Sequence, residues 1–464
     1  MSDPEMGRHM SDVEALMWNL EKDPHLSAAF GNVTLFDRPP DLDRLRVRML
    51  EASEVYPRLR QRVAPVLGRL APPEWVDDAD FDIDYHLRQV ALPAPGTERQ
   101  LFDLAAKLAA TPFDRTRPLW EFTVVDGLEG DRAALIQRMH HTLTDGEGGV
   151  RLSVQFIDLE RDPEPRGATD GDDDRSGPPR GRPLPVLALE ALAHNVRRQA
   201  GAARRAATGV AGTIADPRRL ARVPGDTVDV VQSLSRQAMV SGERRSPLWT
   251  ERSLSRHFDV LRVPLDDAKR AAKALGGSVN DLFVAGAAGG AGAYHRAKGA
   301  PVDELRISMP VSTRSSGTAG GNAFTPTRVL VPTGPDPRER FVEINARLSV
   351  TKEERALGFT EMLAGVFNLL PTSLLVRVTK SQVETVDFTT SNVRGAPWPL
   401  YIAGALIEGN FPLGPVAGTA FNLTTLSYNG SLDMGLHVDR AAVSEPDLLR
   451  ACIEESFGEL LAFS

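Results

Sequence analysis

The sequence predicts an α/β fold divided between two domains. Three observations carry this reading. Apolar runs with strand alternation recur among stretches of helical composition, a mixed order that favours layers over an all-helical bundle. The 464 residues exceed what one ordinary core accommodates. A stretch from Asp162 to Pro185, crowded with Pro, Gly, Asp and Arg, interrupts both patterns. The expected divisions are residues 10–161, a linker with crossover helices over 162–245, and residues 246–464.

In the first domain, Glu121-Phe122-Thr123-Val124-Val125 alternates as a strand does. Trp120, just before it, is expected in the core, because an aromatic beside a strand is more often packing than channel lining. Ala133-Ala134-Leu135-Ile136-Gln137-Arg138-Met139 reads as a mostly apolar strand. Gly146-Glu147-Gly148-Gly149-Val150 then leads into Leu152, Val154 and Ile157, read as a helix. In the linker, the Asp172-Asp173-Asp174 run repels itself and disorder is expected. Leu187 to Val210 has helical composition and carries Arg197, Arg198, Arg204 and Arg205, with basic residues returning at Arg218, Arg219 and Arg222. That segment suits the anionic surface of a membrane or lipid inclusion. A solvated helix crossing between domains is the other reading, favoured by the sparseness of bulky apolar anchors.

The second domain opens with a strand at His257 to Val263 and a helix at Asp266 to Leu275. Ser278 precedes another helical pattern with Asp281 three residues on, a capping-box variant with its acid near the positive helix end. Leu282 to Tyr294, rich in Ala and Gly, is too short to span a bilayer and reads as a buried helix. Strands follow at Leu305 to Met309, Arg328 to Val331, Leu400 to Ile407, Thr419 to Tyr428 and Ser431 to His437. Helices are expected near Arg338 to Leu348 and Pro446 to Leu461.

Composition narrows the function classes. A formal net charge of -8 and a pI near 5.7 argue against a nucleic-acid binder, which would be basic. The single cysteine, Cys452, excludes a disulfide framework and fits a reducing compartment. No signal peptide or membrane span is read, so a cytoplasmic protein is expected, with a membrane or lipid-inclusion surface as its peripheral resting place. His9-Met10 resembles a cloning junction, and residues 1–9 are set aside from the fold reading.

The chemistry concentrates in His140-His141-Thr142-Leu143-Thr144-Asp145-Gly146, at the end of the Ala133–Met139 strand. Adjacent strand residues point to opposite faces, so His140 and His141 are not expected to ligate one metal together. A neutral imidazole is suited to taking a proton from a hydroxyl, the difficult part of making an alcohol attack a thioester. Asp145 would fix the loop or the imidazole, and Gly146 would let N–H groups at a helix start approach a developing oxyanion. The alternative is a buried, hydrogen-bonded histidine pair in a strand-to-helix turn. No Gly-x-Ser-x-Gly elbow supports a covalent serine mechanism.

The stretch matches the His-His-x-x-x-Asp-Gly motif of the chloramphenicol acetyltransferase-like superfamily, which includes peptide-synthetase condensation domains. Along nearly its whole length the chain resembles the bacterial wax ester synthase/diacylglycerol acyltransferase family. The resemblance begins at Met10-Ser11-Asp12-Val13-Glu14-Ala15-Leu16-Met17-Trp18-Asn19-Leu20-Glu21. It continues through Arg117-Pro118-Leu119-Trp120-Glu121, Ser278-Val279-Asn280-Asp281 and Met309-Pro310-Val311-Ser312-Thr313-Arg314. Gly321-Asn322, Ser391-Asn392-Val393 and Leu426-Ser427-Tyr428-Asn429-Gly430-Ser431-Leu432 complete the series. Each fragment is weak alone, and their order is specific.

The resemblance implies two chloramphenicol acetyltransferase-like domains with a channel between them and His141 at its middle. It implies acyl transfer from acyl-CoA, as substrate rather than cofactor, to the hydroxyl of a diacylglycerol or a long-chain alcohol. Diacylglycerol is favoured because the Ser253-Leu254-Ser255 neighbourhood and overall form look more like actinobacterial triacylglycerol synthases. By carry-over, His141 is the base, His140 supports the site, and Asp145 is structural and pairs with an arginine, for which Arg314 is the candidate. No acyl-enzyme is expected. Asn280 and Asp281 fall in the family's Asn-Asp motif, where a helix-start role that shapes the pocket is preferred to direct chemistry. Arg394 stands where the family commonly has proline and either adds charge near a CoA phosphate or is a solvated surface group. His437 is near enough in the implied fold to approach the channel, though a lone strand histidine is more often structural. The competing readings are a condensation-type enzyme using a carrier-protein thioester and a catalytically silent lipid-binding protein.

Overall fold

Two β-sheets organise the chain, and one strand from late in the sequence joins them. The computed structural model describes residues 7–64, 72–144, 146–163, 244–312, 324–353 and 371–464. Residues 164–243 of the expected linker, with its arginine-rich segment, and Gly321-Asn322 lie outside the described residues.

The first sheet runs in the order β4 (Leu87–Ala91), β5 (Trp120–Leu128), β6 (Arg132–His140), β1 (Ala29–Phe36), β13 (Ala405–Leu413), β12 (Tyr401–Ile402) and β7 (Ile157–Asp158). All its pairings are antiparallel except β4 with β5. Successive residues of β6 feed two separate cores, which is why the run is continuously apolar rather than alternating. Ala133, Leu135 and Met139 pack with Trp120, Phe122 and helix α2 (Leu42–Val55). Ala134 and Ile136 pack with Leu101 and Phe102 of α4 (Glu98–Ala110), and with Phe258 and Phe411 from the second half. Sheet and core membership therefore cross the boundary drawn at residue 161.

The second sheet is ordered β10 (Phe324–Pro332), β9 (Glu304–Ser312), β11 (Phe388–Arg394), β14 (Phe421–Tyr428), β15 (Ser431–Asp439) and β8 (Arg256–Pro264). β11 is parallel to both neighbours and the remaining pairs are antiparallel. A third, two-stranded sheet joins β2 (Gln61–Ala64) to β3 (Glu74–Asp77). The two large sheets meet where β15 approaches β13. A Cβ on Gly435 would overlap the Pro412 carbonyl, so only glycine allows the approach.

Helices α6 (Leu265–Ala274), α7 (Val279–Ala297), α8 (Pro337–Glu353) and α10 (Pro446–Leu461) cover one face of the second sheet. The Ala/Gly-rich helix α7 is buried as expected, and its glycines set the spacing to its neighbours. A Cβ on Gly290 would overlap the backbone of Ile453 in α10, and one on Gly289 would overlap Ser456 and Arg340. Gly290→Ala is therefore expected to destabilise the protein by about 1–3 kcal/mol despite alanine's better helix propensity. A denaturant midpoint equal to the wild type's would refute this account of the packing.

Three expectations are corrected. Helix α5 (Gly146–Ser153) stops before Val154, and Ile157 belongs to β7. Leu400 to Ile407 is not one strand but β12 and the start of β13, joined by Ala403 (φ 47) and Gly404 (φ 85). Positive φ at both central residues defines the primed turn whose twist suits a hairpin. Residues 7–9 take part in the fold: Trp75 N–H donates to Arg8 O at 2.9 Å, Met10 N–H to Pro73 O at 2.9 Å, and His9 forms a bridge to Glu74.

Candidate active site

The motif starts on the last residue of β6 and continues into a turn. His140 N–H donates to Leu119 O (3.0 Å), His141 N–H to Ala28 O (3.1 Å), and Leu143 N–H returns to His140 O (2.9 Å). Two carbonyls from separate segments thus hold the consecutive backbone N–H groups, so both histidines leave a fixed frame. The Pro118-Leu119-Trp120 segment supplies the first of them. Trp120 is fully buried and donates its indole N–H to Leu59 O at 2.9 Å.

The two histidines have different surroundings. His140 is fully buried, edge-on to Phe113 with ring centroids 6.4 Å apart. Its Nδ1 accepts the Thr142 N–H at 3.1 Å, with Thr142 Oγ1 also 2.8 Å away. Its Nε2 lies 2.8 Å from Oε2 of Glu21, the residue that caps the C-terminus of α1 (Asp12–Leu20). Burial opposes ionisation of Glu21, yet the close contact with His140, the hydrogen bond from Ser27 and the charge of Arg115 hold its carboxyl below the usual range. His141 is half-buried, and its ring lies over Phe30 at 4.4 Å with 30° between planes.

Asp145 and Arg314 lie outside the described residues. Gly146 opens α5, and α5 packs against β11 of the second sheet. On β11, Asn392 donates to Asn280 Oδ1 at 3.4 Å, and Asn280 Nδ2 lies 3.8 Å from Met309 Sδ. Asp281 closes a capping box with Ser278 at the start of α7: its Oδ2 accepts from Ser278 N (2.8 Å) and Oγ (2.6 Å). Asn345 of α8 adds a donor to the same oxygen at 3.1 Å, and Asp281 is buried. Asn280 and Asp281 therefore fix the beginning of α7 beside the strand that α5 touches.

His437 is buried on β15 and donates Nδ1–H to Gly414 O at 2.8 Å. Burial pushes its pKa down to about 4, so it sits as a neutral hydrogen-bond donor. Arg394 is exposed at the end of β11, where Gly395 N–H donates to Ser427 Oγ at 3.2 Å. Among the described residues, the three side chains with metal-ligand spacing are His257, Asp259 and Asp447, away from the motif in sequence and on different elements. Asp259 already faces Arg99 at 3.3 Å and Arg450 at 3.4 Å, one on each carboxylate oxygen, which disfavours a cation there.

A motif histidine at a strand end, in a two-sheet α/β chain whose second half buttresses the helix after the motif, defines the class: an acyltransferase of the chloramphenicol acetyltransferase-like fold. The wax ester synthase/diacylglycerol acyltransferase catalytic-domain model matches residues 10–283, and the C-terminal-domain model of the same family matches residues 320–461. A Mycobacterium tuberculosis protein provisionally named a diacylglycerol O-acyltransferase is 35% identical over 473 aligned residues, covering 99% of this chain and 93% of that one. The chain belongs to the wax ester synthase/diacylglycerol acyltransferase family. In solved structures, the fold matches that family's enzyme from Marinobacter aquaeolei VT8 at TM-score 0.63 and 23% identity, covering 97% of this chain and 98% of that one. It also matches a starter condensation domain of rhizomide synthetase in complex with C8-CoA, at TM-score 0.58 and 11% identity, covering 98% of this chain and 94% of that one.

Sequence reading did not find Glu21, Asn345 or the Asn280–Asn392 contact. Glu21 ends the first of the resembling fragments, but nothing in its spacing signals a partner at position 140.

Proposed function

We propose that this acyltransferase moves a long-chain acyl group from acyl-CoA to the free hydroxyl of diacylglycerol, forming triacylglycerol, and accepts long-chain alcohols as second substrates. The observation that carries the reading is the position of His141, half-buried on the turn immediately beyond β6, while His140 is engaged separately with Glu21 and Thr142. Family membership supports the chemistry, and the provisional name of the Mycobacterium tuberculosis relative supports the acceptor.

In this mechanism His141 removes the hydroxyl proton as the alcohol oxygen attacks the thioester carbonyl carbon. The tetrahedral oxyanion collapses, the C–S bond breaks, and the imidazolium returns the proton to the CoA thiolate. Atoms balance with no acyl-enzyme. Gly146, at the first position of α5, places helix N–H groups where a helix start favours negative charge. Asp145 is assigned to an ion pair with Arg314, and Asn280 and Asp281 to shaping the acceptor side. Among the described residues no helix is long and apolar enough to cross a membrane, and diacylglycerol would be met at a membrane or lipid-inclusion surface.

The test is incubation of purified protein with labelled palmitoyl-CoA and either diacylglycerol or hexadecanol, resolving lipid products and released CoA. Labelled triacylglycerol with equal release of CoA is expected. Product from a carrier-protein thioester alone would replace this reading with the condensation-type one. No product from any donor, in folded protein, would leave the silent lipid-binding reading.

A further inference from the structure

A buried histidine with a donor on one nitrogen and a carboxylate against the other has a defined tautomer. His140 Nδ1 accepts a backbone N–H from Thr142, so that nitrogen carries a lone pair and the ring proton belongs on Nε2. Nε2 faces Glu21 Oε2 at 2.8 Å. The other Glu21 oxygen is engaged as well, accepting Ser27 Oγ–H at 2.7 Å, and Ser27 Oγ in turn accepts Ala29 N–H at 3.2 Å at the entry to β1. Arg115, whose guanidinium stacks 3.4 Å from the Trp18 ring centroid and donates to Trp18 O at 2.9 Å, lends positive charge to the C-terminal end of α1. Glu21 thus ties three things together: the end of α1, the start of β1 and the first motif histidine.

The geometry points to Glu21 as the positioning residue of the histidine motif: its carboxylate fixes His140 as the Nε2–H tautomer, which reserves Nδ1 for Thr142 N–H and so holds the turn that presents His141. The chain of contacts is directional. Without an acceptor at Nε2, the ring proton is free to move to Nδ1, where it confronts the Thr142 N–H instead of accepting it. The turn spanning residues 140–142 then loses its internal clamp, one residue from the group assigned as base. The activity consequence rests on that assignment of His141, whereas the tautomer does not.

The test compares Glu21→Ala with Glu21→Gln in the full chain, the glutamine keeping an oxygen able to accept Nε2–H. Glu21→Ala is expected to lower kcat roughly 10–100-fold with KM for palmitoyl-CoA little changed, and Glu21→Gln to remain within about threefold of wild type. In 15N-histidine-labelled protein, with His140→Asn to assign the signal, His140 is expected as the Nε2–H tautomer in the wild type and Glu21→Gln, and as a mixture in Glu21→Ala. Three results would each overturn the proposal: wild-type kcat in folded Glu21→Ala, a Glu21→Gln as impaired as Glu21→Ala, or an Nδ1–H tautomer in the wild type. Should Glu21→Ala fail to fold, Glu21→Gln and the wild-type tautomer decide the matter. A wild type with no acyl transfer would count against the proposed function alone, because the tautomer is read without turnover.

Discussion

Replacing His141 with alanine is expected to lower kcat for triacylglycerol formation by roughly two to four orders of magnitude, the usual worth of a positioned general base. His141 is half-buried, with its ring over Phe30 on the neighbouring strand, so its truncation is expected to cost less stability than the loss of a fully buried ring. His140→Ala makes the informative contrast. That side chain is fully buried, and its loss leaves the Glu21 carboxylate, itself 9% exposed, and the Thr142 N–H without their partner. A buried polar group left unsatisfied costs about 1–3 kcal/mol, so His140→Ala is expected to lower both stability and activity. Kinetics together with thermal unfolding separate the two. If His141→Ala kept wild-type kcat, the base would have to be sought elsewhere, and the division of labour between the histidines would fail with it.

That division was only half legible in the sequence. Alternation of side chains along a strand told that the two rings diverge, and the apolar run before them located β6. The carboxylate against His140 Nε2 belongs to Glu21 at the end of α1, more than a hundred residues earlier, and local spacing carries no signal for such a contact. β1 illustrates the same limit. Gly31, Asn32 and Thr34 break its apolar pattern, yet it pairs with both β6 and β13 at the centre of the first sheet. A Cβ on Gly31 would overlap Gln137 O, so the residue that weakens the strand signal is required by the pairing. The Ala403-Gly404 turn escaped notice because alanine with positive φ carries none of the Asn-Gly or Asp-Gly signature. Helix α10, by contrast, was read with both its ends, since Pro446 opens it and its apolar face repeats regularly to Leu461. Local pattern recovered elements around the motif, and the long-range pairings that build the site lay beyond it.

Mild acid is expected to destabilise the protein through two histidines outside the motif. His86 donates Nδ1–H to Trp120 O at 2.7 Å and stacks on the Trp120 ring at 4.6 Å, and His437 donates to Gly414 O at 2.8 Å. Burial pushes both pKa values down from 6.5 to about 4, so each ring is neutral in the folded protein at pH 7. Between pH 6.5 and 4 the unfolded chain binds protons at these positions that the folded chain does not, and stability therefore falls as pH falls through that window. Below pH 4 both states are protonated and this contribution levels off. A shift of that size corresponds to about 3 kcal/mol per histidine when fully expressed, and to about 2 kcal/mol per histidine between pH 6.5 and 5. Glu21 works in a lower window: its depressed carboxyl contributes stability above its ordinary pKa of 4.5, which is lost as pH drops through the folded value. His437→Asn keeps a side-chain N–H for the Gly414 carbonyl but cannot titrate. Denaturant unfolding at pH 6.5 and 5 is expected to show the wild type losing about 2 kcal/mol more than this variant. Equal losses in the two proteins would mean that His437 is protonated in the folded state as readily as in the unfolded one, and the acid sensitivity would have to arise from other groups.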